Sequence, residues 1–171
     1  MTARKISPKV RLEQCSYRLT KGKLRVNITL ANYGSKPIFA MRGVRRIEFD
    51  KKNGTLTLWF SDKGRDTGEI DPVRKEYTVP NVVVIDPGEK KTISAELSER
   101  LTRLIPHEDG SFEFEVLDLS RAKTVIVKMT VSYTPFYFNP KEPSIIKQLI
   151  DWGVVIETTA EKAKKTPQRM D

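Results

Sequence analysis

Cysteine and histidine are nearly absent from this chain: one of each, Cys15 and His107, in 171 residues. A single thiol cannot close an intrachain disulfide, which fits a reducing compartment. Two such residues also fall short of the ligand set of a structural zinc site. Cys15 and His107 could in principle pair as nucleophile and base. However, Cys15 lies in an alternating strand pattern, which predicts a buried and inert thiol. His107 follows Pro106 in the polar run His107-Glu-Asp-Gly110, which predicts a solvated ring. No apolar run approaches the roughly 20 residues of a membrane-spanning helix. The N-terminus carries cations but no apolar stretch behind them, so no secretory signal is expected. These absences predict a cytoplasmic protein with no cofactor, no metal and no catalytic residues.

What the chain has is charge, unevenly spread. Residues 1–52 hold 14 Lys and Arg against 3 Asp and Glu, whereas the remaining 119 hold 17 against 19. The net charge is +9. Such a field steers a protein toward something anionic, or toward an acidic patch on another copy. At 38% hydrophobic and 31% charged residues the chain has enough apolar content for one buried core.

The apolar pattern is that of strands. Residues 10–19 alternate but change phase near Gln14, which predicts a bulge. In residues 24–30, Leu24, Val26, Ile28 and Leu30 point one way and Arg25, Asn27 and Thr29 the other. Further strands are expected at 38–41, 44–49, 56–60, 77–85, 92–97, 112–117 and 124–133. Asn53-Gly54 marks a hairpin turn between two of them. Leu97, Leu101, Leu104 and Ile105 fall at helical spacing, so residues 98–105 are expected as a short crossover helix stopped by Pro106. In 112–117, Phe112, Phe114 and Val116 share one face; Glu113 and Glu115 share the other, expected to be solvated. Residues 61–76 read as a long polar loop whose acids (Asp62, Asp66, Glu69, Asp71) miss calcium-loop spacing. Residues 144–152 read as a helix with Ile145, Leu149 and Trp152 on one face. The sum is an all-β fold of about eight antiparallel strands in a sandwich, with too few helices to cover a parallel sheet.

Two turns then carry a resemblance. A strand runs into Asn32-Tyr-Gly34-Ser-Lys-Pro37, and a later strand is preceded by Asp86-Pro-Gly88-Glu89. Together they resemble the turns of prokaryotic immunoglobulin-like sandwich domains, including cell-adhesion-related modules and intracellular proteinase-inhibitor-like domains. The resemblance covers about residues 10–133 and implies an immunoglobulin-like β-sandwich. Such domains serve adhesion, inhibition and scaffolding, so function must be sought in a site. The chain departs from the simple module in its 61–76 loop, its expected 98–105 and C-terminal helices, and the lack of the Cys…Trp…Cys framework of antibody domains.

The expected organisation is an N-terminal extension (1–9), a β-sandwich domain (10–134), an aromatic and helical appendage (135–157) and a polar, disordered tail (158–171). The candidate partner-binding residues are the strand-borne cations Arg11, Arg18, Arg25, Arg42, Arg45 and Arg46, with the aromatic Phe136, Tyr137, Phe138 and Trp152. They suggest a non-enzymatic interaction or scaffolding module that binds a protein partner or a second copy. The alternative is a nucleic-acid binder using the basic strand face, with aromatic stacking from Tyr17 or Tyr33.

Overall fold

The computed structural model describes residues 7–44, 46–60, 82–134 and 153–163. The expected 61–76 loop, the first half of the 77–85 strand and the 144–152 helix lie outside them. So do Arg45, Phe136, Tyr137, Phe138, Trp152 and residues 164–171. Among the described residues the fold is all-β, with a single 3-10 turn at Leu119–Arg121 and no α-helix.

The chain begins with a long hairpin, β1 (Val10–Thr20) and β2 (Lys23–Asn32). Lys21 and Gly22 connect them with φ of 52° and 76°. Two positive φ values in a two-residue loop match the right-handed twist of the flanking strands. The register shifts between Leu12 and Gln14, so the expected bulge is present. It sets Leu12, Cys15 and Tyr17 opposite Leu30, Ile28 and Val26 on one inward face. On β2, Leu24, Val26, Ile28 and Leu30 are fully buried. Each such side chain contributes roughly 1.5–3 kcal/mol of burial.

The other strands are β3 (Ile38–Met41), β4 (Arg46–Asp50), β5 (Thr55–Phe60), β6 (Val82–Ile85), β7 (Lys90–Ser98), β8 (Arg100–Pro106), β9 (Phe112–Asp118), β10 (Thr124–Ser132) and β11 (Val154–Lys162). The sheet follows the order β4-β5-β10-β11-β1-β2-β7, with β3 pairing both β10 and β6. It is mixed: β10 runs parallel to β5, and β11 runs parallel to β1 through Ser16 and Tyr17. β10 is its hub, bonded to β3, β5 and β11. Val125, Val127, Met129 and Val131 on β10 share one core with Leu56, Leu58 and Phe60 of β5 and the inward face of β2. That core forms because the sheet curls its two ends toward each other.

Asn32 fastens the two turns that carry the resemblance. Its Nδ2 donates to the carbonyls of Lys36 (2.8 Å) and Ile85 (2.9 Å), and its Oδ1 accepts from the Gly34 amide (2.9 Å). Its own carbonyl accepts from the amide of Gly88, in the second turn, at 2.9 Å. Asn32 is 2% exposed, so water has little access to its amide, least of all at the bond to the buried Ile85.

Three sequence expectations fail. The sheet is mixed and not wholly antiparallel, since β5 and β11 run parallel to their neighbours β10 and β1, and eleven strands stand among the described residues where about eight were expected. Residues 98–105 form no helix: β7 extends to Ser98 and β8 begins at Arg100. The Leu97, Leu101, Leu104 spacing is ambiguous in so short a run. The next strand, β9, decides it by pairing along the whole of β8. The polar residues after 157 are not frayed up to Lys162. β11 pairs with β10 from Val154 to Ala160 and touches β1 beyond that. Ala160 is buried there while Glu157 and Glu161 face water, an alternation that polar composition conceals.

Candidate interaction surface

The strand-borne cations fall on separate faces. Arg18 and Arg25 are directly paired neighbours on the outer side of β1 and β2. Arg25 Nη2 lies 2.7 Å from Glu96 Oε2, and Lys23 Nζ lies 2.8 Å from Glu96 Oε1. Lys23, and then Arg25, hold the Glu96 carboxyl down at about 2. Arg11 stacks over the Tyr33 ring at 4.7 Å. Arg46 is at the other end of the strand order, on β4, where it pairs with Glu48. Its guanidinium and the Lys128 ammonium flank Trp59 at 5.5 and 4.5 Å. Arg42 is exposed just past β3. Several of the N-terminal cations thus meet carboxylates supplied much later in the chain. Cys15 is half-buried, and burial pushes its thiol up to about 11.

A different surface stands out, on the separate two-stranded hairpin of β8 and β9. Its base is tied to two turns of the main sheet. The Glu99 amide donates to the Gly22 carbonyl (2.8 Å), the Leu119 amide to Glu99 (2.7 Å), and the Lys123 amide to Gly54 (2.8 Å). Gly54 has φ +68°, and a Cβ there would meet Lys123 Cγ at 3.1 Å. Glycine is therefore required where the β4–β5 turn meets the chain leaving the hairpin.

Strand alternation gives this hairpin two faces. One turns toward the body. Leu117 is buried in the core with Leu101 packed against it. Beyond them Glu115 bridges Lys51 Nζ (3.0 Å) and Arg103 Nε (2.8 Å). Lys51 first, then Arg103, hold the Glu115 carboxyl below the usual carboxylate range. Nearer the tip Glu113 lies 3.2 Å from His107 Nε2.

The other face is apolar and open. Leu104 is 52% exposed, Phe112 64%, Phe114 72% and Val116 55%. They form cross-strand rows, Leu104 opposite Phe114 and Thr102 opposite Val116, with Pro106 opposite Phe112 at the end. The expected polarity of β9 thus fails at Glu115, which is half-buried in an ion-pair cluster while the aromatic side faces water; Glu113, nearer the tip, is exposed as expected. At the base, Val116 also lines a cleft of about 340 Å³ with Phe49, Lys51, Arg100, Asp118 and Arg121. Asp118 Oδ1 accepts from the Ser120 hydroxyl and, at 3.1 Å, from the Ser120 amide, and these bonds, the hydroxyl's first, hold its carboxyl low.

No protein-family model matches this chain, and no curated protein does. The site must be judged on its geometry.

Among the described residues no group of three or more His, Cys, Asp or Glu side chains comes together as a metal site. No helix there is long and apolar enough to cross a membrane. The β8–β9 face was not singled out by sequence reading, because both of its faces carry apolar residues and charges. The available signal was the run Phe112-Glu-Phe-Glu-Val116 beside a turn, with Leu104 and Pro106 at matching parity before it.

Proposed function

We propose that this chain is a non-enzymatic interaction module, built on an immunoglobulin-like β-sandwich, that docks through the open face of the β8–β9 hairpin. The observation that carries this reading is four large apolar side chains, each more than half exposed, on one face of a two-stranded arm. An apolar patch of this kind costs solubility, so monomers keep one mainly where something covers it. A two-stranded ribbon alone is marginal in water, and this one is braced from behind by the Glu115 cluster and Leu117. The bracing supports a presented surface rather than a slack loop. The basic strand residues Arg11, Arg18, Arg25, Arg42, Arg45 and Arg46 and the aromatic Phe136, Tyr137, Phe138 and Trp152 remain candidates for a second contact. The nucleic-acid reading has less support, because Glu96 already answers Lys23 and Arg25. The lone Cys15 fits the cytoplasm as its compartment.

The test is affinity capture from native lysate with and without nuclease, comparing wild type with Phe112→Ser/Phe114→Ser. Loss of the captured protein in the variant, unaffected by nuclease, is the expected result. Equal capture by both, from a variant with an unchanged β-type circular dichroism spectrum, would remove the hairpin face from consideration.

A further inference from the structure

The open hairpin face has a polarity along its length that identifies what covers it. At its base are three cations, Lys51, Arg100 and Arg121, around one carboxylate, Asp118. At its tip, in the turn beyond Pro106, are Glu108 and Asp109 with one histidine, His107. Between them lies the uncharged stripe Thr102, Leu104, Pro106, Phe112, Phe114 and Val116. One end is positive, the middle is apolar, and the other end is negative.

Resting on the docking reading above, we infer that the partner is a second copy of this chain. Two hairpins stack face to face and antiparallel about a twofold axis near Leu104 and Phe114. In that arrangement the acidic tip of each copy lies over the basic base of the other. Every contact then occurs twice, as an isologous interface requires. The charge pattern is its own complement only in this orientation; stacking two copies tip to tip sets like charges together.

The areas agree. From their fractional exposures, Leu104, Phe112, Phe114 and Val116 offer roughly 450 Å² of apolar surface, given side chains of ~150–250 Å². A stable interface covers about 800 Å² per partner, with an apolar centre and a polar rim. The stripe supplies the centre, and the charged base and tip supply the rim. Along β8 the run from Arg100 to Pro106 spans about 20 Å, enough to hold the opposed charges apart from the apolar middle.

The test is sedimentation equilibrium of the full chain with two charge-reversed variants. One is Glu108→Lys, which leaves Asp109 to hold the tip turn through Ser111. The other is Arg100→Glu/Arg121→Glu, which leaves Lys51 and Arg103 on Glu115. Wild type is expected to dimerise with concentration, and each variant alone to weaken at least about tenfold. An equimolar mixture of the two variants is expected to recover near wild-type association, because both ends then pair opposite charges. Phe114→Ser is expected to dissociate the dimer by more than about tenfold whatever the charges. A dimer indifferent to Phe114→Ser, or a mixture no tighter than its components, overturns the inference. A monomeric wild type whose capture of a foreign protein still depends on Phe112 and Phe114 overturns self-association and leaves the docking reading standing. A monomer with capture indifferent to both residues ends both.

Discussion

Replacing Asn32 separates two accounts of how the body of the protein is held together. If its amide ties the strand ends as described, Asn32→Ala removes three hydrogen bonds at a site 2% exposed. A typical intramolecular hydrogen bond is worth about 1 kcal/mol net, and a partner left buried and unpaired costs about 1–3 kcal/mol. The Gly34 amide and the Lys36 carbonyl are near enough to solvent to recover part of the loss. The Ile85 carbonyl is not, since Ile85 is fully buried. The expected loss is therefore about 3 kcal/mol, read by urea unfolding as a lower midpoint at unchanged slope. Asn32→Asp is the sharper comparison. It keeps an oxygen for the Gly34 amide but sets a second oxygen against two carbonyls. It is expected to destabilise at least as much as alanine. A wild-type midpoint for Asn32→Asp would show that only the Gly34 contact matters and would refute the reasoning.

Two further outcomes follow from the ionisable groups. The Glu96 carboxyl titrates at about 2, below its ordinary 4.5, because Lys23 and Arg25 favour the charged form. A depressed folded value means that its contribution to stability is present above about pH 4.5 and is lost as pH falls toward 2. Side-chain carboxyl NMR should show that low midpoint, moving back toward 4.5 in Lys23→Ala/Arg25→Ala; an unmoved midpoint would discount the pairing. Burial raises the Cys15 thiol to about 11, so alkylation at neutral pH should be slow in the native state and fast in denaturant. Rapid native labelling would contradict the packing of β1 against Ile28.

The fold was most legible where burial on one face was complete. Leu24 to Leu30 and Thr124 to Ser132 announce themselves because every second residue must be apolar. The bulge near Gln14 was legible because two phases cannot coexist on one strand without an extra residue. The Asn53-Gly54 turn was legible because Gly54 takes the positive φ that such a turn demands. Legibility failed where pairing with another strand, and not the local spacing, decides the outcome. The Leu97 to Ile105 stripe fits a helix locally, and only pairing with Phe112–Asp118 makes it a strand. The same reason hid the β8–β9 surface: alternation reveals two faces but not which one meets the core. Glu115 turns inward beside Arg103, its cross-strand neighbour, because Lys51, remote in sequence, waits there. The N-terminal charge excess was visible at once, but its partial neutralisation by Glu96 and Glu115 was not, because those carboxylates arrive some 70 residues later.

The central claim is that the aromatic residues of the hairpin serve a partner and not the fold. The most direct measurement is urea unfolding of Phe114→Ser at a low micromolar concentration. The account predicts a stability within about 0.5 kcal/mol of wild type, as for a surface substitution. A loss of about 3–5 kcal/mol, the cost of deleting a core phenylalanine, would show that the face is packed against the protein's own body and would contradict it.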